Sequence, residues 1–293
     1  MGVRAWKILQ MRKSLALHGA LAMIARFAGG PWIEKKALQW SKLDHVRSRY
    51  GVLLESNWTD FTFNLCYFGS YGRSLANILS KQDRPFVFLD IGANQGLYSL
   101  IAAKNLRCLK VLAFEPVPST FLRLCRNIRL NGAEDIIQPV NKAIAQESGH
   151  GCIRMCPAHS GAASMSATND AQGDELSIEL IDHCEMDELI PAGDEPIIVK
   201  IDVEGFEETV VDELVASVHL NRMSAIFYEI DEKWTNPARI EMKLRAQGFS
   251  RFQRIQVFKL KTHYDVYATR PLLETTHSSQ INEMMPAPAR PAL

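Results

Sequence analysis

The 293-residue chain is 47% apolar and 23% charged, with 17 Gly and 13 Pro, a composition that excludes a disordered, collagen-like or coiled-coil protein. Lys+Arg and Asp+Glu balance at 33 each, so a chain-wide attraction to nucleic acid is excluded too. The length suits one large domain with an extension.

Residues 1–50 form a basic helical extension, holding ten Lys/Arg against two Asp/Glu, and residues 51–293 carry the balancing negative charge. Within it, Leu15 to Ala28 is apolar-rich but is interrupted by His18 and Arg26. It falls short of the roughly 20 residues that span a bilayer, and no small-x-small cleavage site follows it. The Leu15, Leu21, Ile24 stripe predicts a helix that packs on the main domain or on a second copy of the chain, giving a homo-oligomer. A basic amphipathic helix lying on a membrane surface is the alternative. Six cysteines (Cys66, Cys108, Cys125, Cys152, Cys156 and Cys184) are scattered without a framework, as expected for reduced, mostly buried thiols in a cytoplasmic protein. Cys152 and Cys156 lie near His159, His183 and Cys184, but their spacing is not CxxC; strand alternation explains the pair as inward-facing residues, and no metal site is predicted.

Residues 51–80 lead into the core. The alternation of Phe61, Phe63 and Leu65 within 52–68 predicts one or two strands, Gly69 to Gly72 a turn, and Ser74 the cap of a short helix through Leu79. Trp58, Phe61, Phe68 and Tyr71 suit a hydrophobic core better than the wall of a substrate pocket. From Phe86 a regular alternation begins: strand 86–91, helix 97–106, strand 111–114, helix 118–130, strand 136–140, then strand 197–203, helix 206–217, strand 224–230 and helix 237–247. Nearly continuous apolar strands separated by amphipathic helices predict an α/β fold, a parallel sheet covered on both faces. The last strands, 252–259 and 263–269, are too close for a crossover helix and must form an antiparallel hairpin. Between 140 and 197 an insertion carries a hairpin strand (152–156), a Ser/Ala/Gly-rich loop (159–173) and a strand-like run (176–181), the kind of segment that forms lids or substrate walls. Residues 81–270 are thus one domain, and the aperiodic residues 271–293 a disordered tail.

The densest signal is Asp90-Ile91-Gly92-Ala93-Asn94-Gln95-Gly96, running from a buried strand into the helix that carries Tyr98. Gly92 and Gly96 permit tight turning and close ligand approach, and Asn94 tolerates a left-handed backbone. Glu115 ends the next strand, 19 residues after Gly96, where a carboxylate can accept hydrogen bonds from two ribose hydroxyls. The ligand is therefore a nucleoside. Asp90 and the Asn94 side chain oppose a pyrophosphate, whereas Asp90 would welcome a cofactor bearing an amino group and a sulfonium. That favours S-adenosylmethionine over NAD.

Asp90-Ile-Gly-Ala-Asn94-Gln-Gly96, Phe114-Glu115-Pro116 with Asn127 and Leu130-Asn131 after it, and Val199-Lys200-Ile-Asp202-Val-Glu204-Gly205 together resemble the FkbM family of S-adenosylmethionine-dependent O-methyltransferases, from about Leu53 to Arg270. The resemblance implies a class I methyltransferase (Rossmann-like) fold, whose seven-stranded, mostly parallel sheet ends in an inserted antiparallel strand. It further implies that Asp90, Gly92, Asn94 and Gly96 line the methionine end of the cofactor, that Glu115 and Pro116 border the ribose, and that Ala143, in Asn141 to Ile144, borders the adenine. The family's acceptors are mostly hydroxyls of sugars and polyketide-type natural products.

Lys200, Asp202 and Glu204 recur on one face of the fourth strand. Such charges are costly there unless paired or functional. An alcohol needs a base to become a methyl acceptor; Asp202 is the first candidate, Glu204 the second and Glu229 the third, while His159 reads as a solvated loop residue. Tyr98 could touch the cofactor. Asp202, Glu204 and Glu229 could also meet around a divalent metal, although no spacing demands one. The expectation is a methyltransferase acting on a small-molecule hydroxyl; a cofactor-binding module without activity and an NAD-dependent sugar-modifying enzyme are the rivals.

Overall fold

The computed structural model describes residues 43–154, 175–256 and 262–271. Residues 1–42 of the basic extension, the 159–173 loop with His159, Cys156 and the C-terminal tail from Leu272 lie outside them, while His45–Arg47, within the stretch expected to be helical, is a strand. No helix among the described residues is long and apolar enough to cross a membrane.

A short antiparallel pair, β1 (His45–Arg47) and β2 (Leu53–Glu55), precedes helices α1 (Phe61–Phe68) and α2 (Arg73–Ser80). The strand expected through Leu65 is therefore a helix. Asp60 caps it, its side chain accepting from the Phe63 N–H at 2.7 Å, and Gly69 ends it in the left-handed region. Cap chemistry outweighed an alternating pattern of only three apolar residues, too short to fix a period of two; in the helix Phe63 is buried while Phe61 is exposed. Nor does Ser74 cap α2: Gly72 occupies that position, at φ 83° and without a side-chain bond.

The central sheet has seven strands: β3 (Phe86–Ile91), β4 (Cys108–Phe114), β5 (Ile137–Val140), β9 (Ile197–Ile201), β10 (Met223–Asp231), β11 (Arg251–Gln256) and β12 (His263–Thr269). Their order is β11-β12-β10-β9-β3-β4-β5. Six strands share one direction, five of them as adjacent parallel neighbours, and β12 alone runs antiparallel, between β10 and β11. The order reverses between β3 and β9, where ligands bind in open α/β sheets. Helices α3 (Leu97–Ala103) and α4 (Pro118–Leu130) cover one face with α1 and α2; α6 (Glu207–Ala216) and α7 (Pro237–Ala246) cover the other. Alternation sends Phe88, Ile198 and Phe227 to the first face and Leu89, Val199 and Tyr228 to the second.

The insertion forms a separate three-stranded sheet in which β8 (Glu175–Ile181) pairs in parallel with β6 (Ala143–Ile144) and antiparallel with β7 (Gly149–Arg154). Helix α5 (His183–Leu189), capped by Asp182, follows β8 and has no counterpart in the sequence reading. Its single buried residue, Met186, leaves no apolar stripe to detect. Cys152 is exposed while Ile153 is buried, so β7 presents the opposite register from the one expected. Of the five described thiols only Cys66 and Cys108 are buried.

Candidate active site

Two asparagines on α4 tie the site to the N-terminal segment. Asn127 accepts from the Glu55 N–H at 2.7 Å and donates to the Gln95 carbonyl at 2.8 Å, while Asn131 exchanges bonds of 2.9 and 2.8 Å with the backbone of Leu53. They stand in for a neighbouring strand along β2 and clamp the turn after β3 from behind.

That turn opens on Gly92, at φ 76°, where a β-carbon would run into the Asp202 carbonyl oxygen. Asn94 holds φ 50°, and its side-chain oxygen accepts from the Gln95 N–H at 2.8 Å. Gly96, at φ 89°, starts α3 with a β-carbon site filled by Leu124. The turn, the end of β4 and the end of β9 enclose a cavity of about 220 Å³.

At one end of this cavity stands Glu115. One carboxylate oxygen accepts from the Asn94 N–H at 2.9 Å and the other from the Val117 N–H at 3.0 Å. Burial outweighs these bonds and lifts its pKa to about 7. Pro116, Val117, Lys142, Ala143 and Ile144 continue this wall, and Asn141 braces it by donating to the carbonyls of Glu115 and Pro116. The buried Gln95 amide also lines the cavity, and the Cys66 thiol, a weak hydrogen-bonding group, is its side-chain neighbour.

The other end is acidic. Lys200, 3% exposed, donates to the Gly92 carbonyl at 2.6 Å and lies 3.5 Å from Asp90 and 3.4 Å from Asp202. Burial alone would lower the Lys200 pKa, but Asp202 and Asp90 outweigh it and the net shift is upward. Tyr71 donates to Asp202 at 3.3 Å, and His263 meets Glu229 at 2.6 Å. Carboxylate oxygens of Asp202, Glu204 and Glu229 all lie within 4.8 Å of one another. Burial, followed by the repulsion of Asp202, raises Glu204 to about 9 and Glu229 to about 7. The hydrogen bond to Glu229 raises the His263 pKa.

The structure brings Gly92, Asn94, Tyr98, Glu115, Pro116, Ala143, Asp202, Glu204 and Glu229 to one cavity. It does not bring Asp90 or Gly96 to its surface. Asp90 is wholly buried, accepting from the Ser99 N–H at 3.0 Å and the Ser99 hydroxyl at 2.6 Å, so it fastens α3 and Lys200 from behind the wall. Glu204 joins the acids by a route different from the one expected: β9 ends at Ile201, and a left-handed turn at φ 49° delivers the side chain. Phe61 and Tyr71 line the cavity, whereas Trp58 stacks edge-on against Phe63 and Tyr67, and Phe68 against Tyr67. His263 and Tyr71 went unrecognised as polar groups of the site. Only the antiparallel register of β12 on β10 reveals His263, through the pairing of Asp231 with His263.

The model described as "Methyltransferase FkbM domain" matches residues 90–251, more than half of the chain. The chain belongs to the FkbM methyltransferase family. Two curated relatives are methyltransferases. The chain is 34% identical over 73 residues to methyltransferase sdnD of Sordaria araneosa, covering 25% of this chain and 28% of that protein. It is 29% identical over 132 residues to the hexuronic acid methyltransferase AglP of Haloferax volcanii, covering 44% and 50%. This FkbM chain thus spans no more than half the length of these two relatives. Among solved structures, precorrin-6y C5,15-methyltransferase from Geobacter metallireducens is similar at 14% identity and a TM-score of 0.40, over 68% of this chain and 87% of that one.

Proposed function

We propose that this FkbM-family chain is an S-adenosylmethionine-dependent O-methyltransferase whose acceptor is a hydroxyl of a sugar or related natural product. The supporting observation is that one cavity carries the buried Glu115 acceptor at one end and the Asp202, Glu229 and His263 group at the other. When bound, the cofactor supplies a sulfonium methyl group to an in-line displacement. The Gln95 amide, buried in the cavity wall with no strong hydrogen bond to another residue, fits a polar ligand there. Glu115 accepts from the ribose hydroxyls; Lys142, Ala143 and Ile144 border the base; the glycine-containing turn leaves backbone exposed to the methionine end.

Asp202 and Glu229 take hydrogen bonds from the acceptor hydroxyls. Glu229, oriented by its 2.6 Å contact with His263, would take the reacting hydroxyl's proton as the methyl leaves sulfur for that oxygen. Phe61, Leu65 and Tyr71 exclude water from the acceptor side. Sugar hydroxyls, which donate to carboxylates, suit this surface, and one relative is a hexuronic acid methyltransferase. Calorimetry with S-adenosylhomocysteine and with NAD tests the cofactor, and methyl transfer to a panel of sugars tests the acceptor. Glu229→Gln and Asp202→Asn should lower turnover by roughly 100-fold or more while leaving S-adenosylhomocysteine affinity within a few-fold. Binding of NAD in place of S-adenosylhomocysteine overturns the reading.

A further inference from the structure

We propose that Asp202, Glu204 and Glu229 form a divalent-cation site at the acceptor end of the cavity. Their oxygens come from three backbone positions, the end of β9, the left-handed turn after it and the end of β10, and converge within 4.8 Å of one another. Two oxygens facing each other across a Ca²⁺-sized ion, bound at about 2.4 Å each, would be separated by about that distance. A set made only of carboxylate oxygens selects hard cations over softer transition metals.

A second observation comes from β12. Asp265 lies directly opposite Glu229 in the β10–β12 register, on the sheet face that carries Glu229 and Lys200. It is 5% exposed, and its Oδ1 is buried without a hydrogen-bond partner. A buried carboxylate oxygen left unpaired is costly, and here it backs a cluster already rich in carboxylates. The nearby basic groups are engaged: Lys200 is shared between Asp90, Asp202 and the Gly92 carbonyl, and His263 is bonded to Glu229. A cation among the three carboxylates would neutralise the charge that Asp265 faces. Taken with the methyltransferase reading, on which this last step rests, the site would accept a chelating substrate, either a vicinal diol or a hydroxy acid. It would also let an anionic sugar approach an otherwise repulsive wall.

The test is titration of the full chain with Mn²⁺, counting free ion by electron paramagnetic resonance. One saturable site of about 1 mM affinity or tighter, displaced by Ca²⁺ and weakened at least about ten-fold in Glu229→Gln or Asp202→Asn, is the expected result. Absence of a saturable site in the wild-type chain, whose folding is not in question, overturns the proposal. So does affinity unchanged in both variants once circular dichroism shows them folded. Calorimetry with S-adenosylhomocysteine on the same samples separates the two readings: cofactor bound without a Mn²⁺ site removes the cation alone, whereas a Mn²⁺ site without cofactor binding removes the methyltransferase reading.

Discussion

Replacing Glu115 by Gln keeps the shape of the side chain and removes its charge. The carboxylate accepts one backbone N–H at each oxygen, from Asn94 at 2.9 Å and Val117 at 3.0 Å. An amide can serve only one of them, and an orphaned buried donor costs about 1–3 kcal/mol. The opposing effect is the burial that raises the pKa from 4.5 to about 7. That difference is about 3 kcal/mol of stability, fully present below the unfolded value and lost as pH rises through the folded one. At pH 8 the two effects nearly cancel, so urea unfolding of the cofactor-free variant should give a stability close to that of the wild type, without the wild type's decline between about pH 4.5 and 7. Cofactor binding does not cancel. Losing a charged acceptor for ribose hydroxyls should weaken S-adenosylhomocysteine by about 1–3 kcal/mol, roughly 5- to 150-fold in calorimetric Kd. In the wild type the affinity should also fall as pH drops below about 7, where the carboxylate protonates. A Gln variant that binds as tightly as the wild type at pH 8 would refute the ribose role of Glu115.

Lys200→Met removes the cation between buried Asp90 and Asp202 and should cost about 3–5 kcal/mol in urea unfolding; a loss under 1 kcal/mol would mean that the pair is well solvated. Asn127→Leu orphans the Glu55 N–H and the Gln95 carbonyl together. It should destabilise the fold by at least about 2 kcal/mol and speed hydrogen exchange at Glu55. Gly92→Ala places a methyl against the Asp202 carbonyl oxygen at φ 76°, and the variant should lose S-adenosylhomocysteine binding in calorimetry or fail to fold; full binding would show that the turn adjusts freely.

The sequence by itself determined the parts governed by local physics. Helix 118–130 was legible to the residue, because Pro118 starts it and its apolar stripe meets β4 and β5. The terminal hairpin followed from a gap too short for a crossover, and the turn after β3 from Gly92, Asn94 and Gly96, whose positive φ values the structure bears out. The cavity-lining carboxylates at or near strand ends, Glu115, Asp202 and Glu229, were equally legible, since a carboxylate closing an apolar strand is conspicuous.

Tertiary structure alone decided what those residues face. Asp90 and Asp202 both follow apolar strand residues, yet Asp90 is sealed against Ser99 and Lys200 while Asp202 opens on the cavity. The difference is where each strand ends relative to α3, which no single segment encodes. His263 reached the site by pairing across strands, Tyr71 by donating to Asp202, 131 residues away along the chain, and Glu204 by a left-handed turn outside strand alternation. Periodicity reports which side of an element is buried; partners across the sheet depend on register and layer packing, which emerge only when the whole chain is folded.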